Sequence, residues 1–149
     1  MLIDTTRFGK VEIDETRVIT FRDGLLGFPD QKRFALIQTM DDAVFFWLQS
    51  VDDPGLAFLV CDPLAFVHDY KVQIRTDDVR ALQLQDLTDC QVLVIANKVD
   101  GWLTGNLLGP LVVGAHSLLA KQLVLSDKRY GTRHRLLQIG ALTAVSKTA

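Results

Sequence analysis

The sequence predicts an all-β protein: a small, single-domain, β-barrel-like fold of short antiparallel strands with at most one or two short helices. Three observations predict it. Short apolar runs rich in Val, Ile, Leu and Phe recur along the 149 residues, at intervals of roughly 8 to 12 residues and divided by Gly, Pro and Asp turn signals, as in small barrels and sandwiches. Two of the densest runs, VFFWL at 44–48 and LAFLV at 56–60, flank Asp52-Asp53-Pro54-Gly55 and read as a hairpin. Only one stretch carries a clear helix-start signal.

Taken in order, residues 2–21 read as two or three short strands, with alternation at Val11-Glu12-Ile13, a turn at Asp14-Glu15-Thr16 and the β-branched run Val18-Ile19-Thr20-Phe21. Gly24, Gly27 and Pro29 break the pattern over residues 22–30. Leu25, Leu26 and Phe28 in that loop are too apolar to hang free. They are expected to plug the end of the core, the alternative being an exposed contact surface. RFALIQT at 33–39 is strand-like, residues 40–43 turn, and the hairpin follows.

The Pro54-Gly55 order suits a type II turn. Neither run of the hairpin alternates with polar residues, so both faces are expected to be covered. Asp62-Pro63 stops the second strand because proline cannot donate to a ladder. Lys71-Val72-Gln73-Ile74 reads as a short strand, and Thr76-Asp77-Asp78 before Val79-Arg80-Ala81-Leu82 as an N-capped helix with acids facing its positive end. QVLVIA at 91–96 is the most strand-like run. Asp100-Gly101 turns it into a return strand at Trp102-Leu103-Thr104, Gly109-Pro110 interrupts before Leu111-Val112-Val113, and Gln122-Leu123-Val124-Leu125 reads as a further strand. One domain is expected over residues 1–140, with 141–149 a frayed tail.

A hydrophobic content of 48% suits one core. The N-terminal residues lack a basic segment followed by a long apolar one, and no apolar run approaches the ~20 residues needed to cross a bilayer. The expectation is a cytoplasmic protein without a membrane association. Cys61 and Cys90 stand apart, without metal or redox spacing, and are expected to be buried free thiols.

The net charge of −2 hides an uneven distribution: residues 1–40 are balanced, 41–100 carry eleven acids and four bases, and 101–149 one acid and six bases. Either these segments neutralise one another across the fold, or the acidic middle forms a face for a basic partner.

The residue types for catalysis are present but not in a catalytic pattern. Ser50, His68 and Asp62 or Asp69 have no glycine-flanked nucleophile turn, and His116 and His134 stand alone, so neither a triad nor a metal site is expected. Gly101, Gly105 and Gly109 lack the ending of a phosphate loop. Lys128, Arg129, Tyr130, Arg133, His134 and Arg135 form a small basic cluster, too poor in aromatics for direct nucleic-acid binding to be the expected role. No cofactor is expected. These residues describe a binding module with an acidic middle and do not name its partner.

The central block carries a likeness. Gly24-Leu25-Leu26-Gly27-Phe28, Trp47-Leu48-Gln49-Ser50, Asp52-Asp53-Pro54, Leu56-Ala57-Phe58, Asp62-Pro63, Phe66 and Asp69-Tyr70, then Asn106-Leu107, Gly109 through Val113, Gln122, Tyr130 and Arg133-His134, resemble the flagellar assembly factor FliW family, up to about Leu137. Gly114, Ala120 and Arg135 depart from it, where the family pattern tends to asparagine, glycine and proline.

The resemblance implies a small β-barrel-like, non-enzymatic regulator that binds flagellin. When flagellin is exported, such a protein binds CsrA, an RNA-binding translational regulator, and lifts its repression of flagellin mRNA by allosteric antagonism. A dedicated flagellin chaperone without a CsrA partner is the alternative, and a small enzyme using Asp62, His68 and Asp69 a more distant one. Combined with the charge pattern, the resemblance makes Asp52, Asp53, Asp62 and Asp69, with Tyr70 beside them, the expected surface for basic CsrA. Leu25, Leu26 and Phe28 are the expected apolar seat for a flagellin helix.

Overall fold

Phe46, Leu48, Phe58 and Val60 alternate with Phe45, Trp47 and Leu59 along the two runs of the hairpin, and strands apolar on both faces need cover on both. The computed structural model, which describes residues 1–39, 41 and 44–139, provides it by closing a barrel around one face and packing loops over the other. The strands are β1 (Leu2–Thr5), β2 (Gly9–Glu12), β3 (Ile19–Phe21), β4 (Arg33–Ile37), β5 (Phe45–Ser50), β6 (Ala57–Cys61), β7 (Cys90–Val99), β8 (Trp102–Gly105), β9 (Leu111–Gly114), β10 (Leu119–Gln122) and β11 (His134–Gln138); a short α-helix, α1 (Thr76–Ala81), lies between β6 and β7, and Glu15–Arg17 and Pro63–Ala65 form single 3-10 turns.

Seven strands close the ring in the order β7-β6-β5-β4-β3-β10-β9 and back to β7. Antiparallel neighbours must alternate in direction, so a ring with an odd number of strands needs a parallel pair. That pair is β3 with β10, which corrects the expectation of antiparallel strands at one seam. β7 is ten residues long and outlasts the ring: its first four residues pair with β9, Val94 and Ile95 with β6, and its last four with β8, which β11 then joins. β1 and β2 form a hairpin of their own. Its turn places the Arg7 guanidinium 3.9 Å above the Trp47 ring and Phe8 edge-on to it at 6.1 Å, covering the outer face of β5.

Every ring strand contributes to the barrel interior: Ile19 and Phe21, Phe34, Leu48, Val60, Leu93, Leu111 and Val113, and Ala120. Leu25 from the glycine loop joins them. Outside the barrel, Cys61, Val94, Ala96, Leu103 and Leu107 pack with Tyr70, while Leu82, Leu84, Val112 and Leu123 fill the space under α1.

Several expectations are corrected. Lys71 to Ile74 keeps a period-two burial pattern but has no ladder partner among the described residues and is not assigned as a strand. The strand expected at 122–125 lies earlier, as β10. Its continuation stays hydrogen-bonded only through the Leu123 and Leu125 N–H groups, because Pro110 opposite has no N–H to return and the Leu108 N–H goes to Asn106 Oδ1. The N-cap of α1 is Arg75, one residue before Thr76, and Asp78 accepts its N–H at 3.2 Å.

The hairpin turn spans Asp53 to Leu56, but Gly55 has no positive φ, so it is not type II; Asp53 Oδ1 holds the Gly55 N–H at 3.0 Å instead. β11 falls where the sequence carries no strand signal. The frayed tail lies outside the described residues, as does most of the turn at 40–43.

The departures from the family pattern fit their surroundings. A side chain at Gly114 would meet Ser117 Oγ at 2.4 Å, which donates to the Leu82 carbonyl at 2.6 Å. Ala120 faces the packed barrel interior, and the Arg135 guanidinium lies 4.9 Å over Trp102.

Candidate partner-binding surface

The candidate residues fall at opposite ends of the β5–β6 hairpin. One end carries both the loop 24–28 and the turn 50–56, because β4 leaves the segment after that loop with Phe34 paired to Ser50. Leu25 and Phe28 exchange backbone hydrogen bonds of 3.2 and 2.8 Å, with Gly27 at φ 84°, so the loop folds into a tight finger. The finger buries Leu25 and leaves Leu26 62% and Phe28 39% exposed. The plug reading therefore holds for Leu25 alone. Phe28 lies edge-on to Phe58 at 5.3 Å, which seats it on the barrel, and Gln122 Oε1 accepts the Leu26 N–H at 2.9 Å while its Nε2 donates to the Gly109 carbonyl at 3.1 Å.

The adjoining turn is organised from inside. Ser50 Oγ donates to Gln31 Oε1 at 2.9 Å and accepts the N–H groups of Asp52 and Asp53 at 3.2 and 2.9 Å. Gln49 Nε2 donates to the carbonyls of Ser50, Asp53, Pro54 and Leu56 at 3.0 to 3.3 Å. Asp52 projects from this frame and pairs with Arg33 across 2.6 Å, both side chains half exposed. Such a pair contributes at most about 1 kcal/mol, so its carboxylate remains available to a stronger partner.

Asp62, Asp69 and Tyr70 lie beyond the far end of the hairpin, where Cys61 pairs with Phe45. The four strand steps from Ala57 to Cys61 set them about 13 Å or more from Asp53. Asp62 caps the 3-10 turn Pro63–Ala65 by accepting the Leu64 N–H at 3.0 Å, and Asp69 is exposed. Tyr70 corrects its assignment to the surface: it is 5% exposed, donates its hydroxyl to the Leu107 carbonyl at 2.6 Å and packs edge-on to Tyr130. Burial pushes its phenol well above the ordinary tyrosine range. The acids thus form two sites and not one. The sequence missed Gln122, Ser50 and Gln49 as the residues that position the first; for Gln49 and Ser50 the signal was a polar pair closing an otherwise apolar run.

The remaining chemistry is accounted for locally. Ser50 is committed to its turn at the opposite end of the hairpin from Asp62 and His68. Among the described residues no three His, Cys, Asp or Glu side chains gather as a metal site, and no helix is long and apolar enough to cross a membrane. Both cysteines are free. The Cys61 thiol is pushed up to about 12 by burial and by Asp62, whereas Cys90 is only half-buried, which corrects the expectation for it. In the basic cluster Arg129 is paired to Asp127 at 2.8 Å and Arg135 lies over Trp102.

Fold and surface together define a small closed β-barrel that presents loop carboxylates and loop apolar side chains. Residues 2–136 match the family model described as FliW protein. The chain is 36% identical over 141 residues to the flagellar assembly factor FliW of Alkaliphilus metalliredigens, covering 93% of this chain and 87% of that one, and 38% identical over 136 residues to that of Geobacter sulfurreducens, covering 90% and 85%. A crystal structure of the flagellar assembly factor FliW superposes with a TM-score of 0.83 at 33% identity, covering 92% of this chain and 97% of the other. The chain belongs to the FliW family of flagellar assembly factors.

Proposed function

We propose that this flagellar assembly factor works without catalysis, in the cytoplasm, by exchanging protein partners. It binds flagellin; when flagellin leaves, it binds CsrA and relieves the repression of flagellin mRNA translation. The observation that carries this reading is that the exposed apolar pair Leu26 and Phe28 and the carboxylates of Asp52 and Asp53 share one end of the barrel, the end where Phe34 pairs with Ser50. An amphipathic helix needs an apolar seat, and a basic partner is drawn by an acidic field. Asp62 and Asp69 add acidic character at the other end, while Leu25 and Tyr70 hold the two ends in shape.

Purified CsrA and a flagellin terminal peptide test the reading separately. Reversing Asp52 and Asp53 to lysine is expected to slow CsrA association about tenfold at low ionic strength, with the difference shrinking as salt screens the field. Association rates unchanged at low salt remove these aspartates from the interface. Phe28→Ala is expected to weaken the flagellin peptide by about tenfold in titration calorimetry, the usual scale for truncating an interfacial aromatic anchor; equal affinity removes the finger. Binding of flagellin with no measurable binding of CsrA leaves a dedicated flagellin chaperone.

A further inference from the structure

Between residues 71–75 and 121–127 the surface opens into a groove of about 600 Å³. One wall is the segment that failed to become a strand. Val72 and Ile74 pack inward against the cluster under α1, and Lys71, Gln73 and Arg75 face out. No backbone N–H or C=O from Lys71 to Ile74 has a partner among the described residues.

The other wall is the continuation of β10. Its Leu123 and Leu125 N–H groups point away from the groove, to the carbonyls of Pro110 and Leu108 at 2.9 and 2.8 Å. By strand alternation the N–H and C=O of Val124 point into it. Val124 is 74% exposed, the most exposed large apolar side chain among the described residues. At one end the Lys121 ammonium crosses between the walls to Asp78 at 3.1 Å.

We infer that this groove is a strand-docking site for an extended, acidic segment of another protein. Unpaired backbone edges are a template for an added strand, which gains affinity from main-chain hydrogen bonds. The charges select its chemistry. Asp78 is held by Lys121 and Asp127 by Arg129, which leaves Lys71 and Arg75 against Asp77. Lys71 and Arg75 lie on one face about 13 Å apart, the rise of four strand residues. A docked strand meets them with carboxylates at its first and fifth positions and places apolar side chains at the second and fourth against the floor. The chain's own last ten residues contain no acid and one lysine, Lys147, and do not match that charge. The inference does not rest on flagellin or CsrA as partners.

The test uses the full chain and a fluorescein-labelled, end-capped pentapeptide, Glu-Val-Thr-Val-Glu. The peptide is expected to bind saturably, more weakly as salt rises, and to slow amide hydrogen exchange at residues 71–74 and at Val124. The double variant Lys71→Glu, Arg75→Glu should lose at least about tenfold in affinity. Val124→Pro, which removes a groove donor with no partner among the described residues, should do the same. A peptide N-methylated at its central residues should not bind. The proposal is overturned by no saturable binding up to about 1 mM, by equal binding of the N-methylated peptide, by unchanged affinity of the double variant, or by binding that appears only after truncation behind Ile139, which would make the chain's own tail the occupant.

Discussion

Phe34→Ala is expected to destabilise the barrel by about 4 kcal/mol, the middle of the range for truncating a buried aromatic, and to lower the calorimetric midpoint by roughly 10 °C. Phe34 has no exposed surface, and its ring meets Phe21 edge-on at 5.5 Å and Phe58 at 6.4 Å. In a closed ring the neighbouring strands are fixed on both sides, so they cannot collapse into the space a missing ring leaves; the cavity cost is added to the lost transfer energy. Phe58 in turn carries Phe28, so a line of aromatic contacts runs from the barrel centre to the exposed finger. The contrast with Phe28→Ala is sharp: that ring is partly exposed, and its removal forfeits one edge contact of about 1 kcal/mol. Urea titration of both variants checks the difference. A loss below about 1 kcal/mol for Phe34→Ala would mean that the ring is not packed as described.

Sequence patterns in this chain speak most clearly where residues act locally. The hairpin, its two covered faces, β7 and its turn at Asp100-Gly101, and the helix after Arg75 are legible because apolar runs, prolines and N-terminal acids act on their own neighbours. What escaped depends on residues far apart. Lys71 to Ile74 has a strand's alternation, yet a strand also needs a partner edge, and no local signal reveals that the described residues offer none. β11 was hidden because His134-Arg135-Leu136-Leu137-Gln138 contains no β-branched residue; β8 makes it a strand through pairing, with a register shift between Arg135 and Leu137. The parallel seam between β3 and β10 follows from the count of strands in the ring, which no single segment contains. At the candidate surface the acids were visible individually, but their division between the two ends of one hairpin is a property of register. Tyr70, polar and next to Asp69, looks like a surface residue until Leu107 appears 2.6 Å from its hydroxyl.

The two glycines of the exposed finger separate backbone preference from steric fit. Gly24 and Gly27 both adopt positive φ, 67° and 84°, which costs an alanine about 1 kcal/mol at either position. Beyond that they differ. A Cβ on Gly27 meets nothing within 4 Å, whereas on Gly24 it lands 2.4 Å from the Phe28 carbonyl oxygen and 2.6 Å from that of Pro29, both backbone atoms that no rotamer change can move. Gly27→Ala should therefore cost about 1 kcal/mol and leave the finger in place. Gly24→Ala should cost roughly 3 kcal/mol, the added part being overpacking. To admit the methyl group, the Phe28–Pro29 backbone must swing off Gly24, and that motion breaks the Leu25–Phe28 hydrogen bonds, draws Leu25 out of the barrel and lifts Phe28 from Phe58. Thermal unfolding measures the costs, and the ring-proton NMR shifts of Phe28 and Phe58 report the displacement. Equal costs for the two alanines would show that the left-handed backbone alone, and not the closeness of the carbonyls, makes glycine necessary at Gly24.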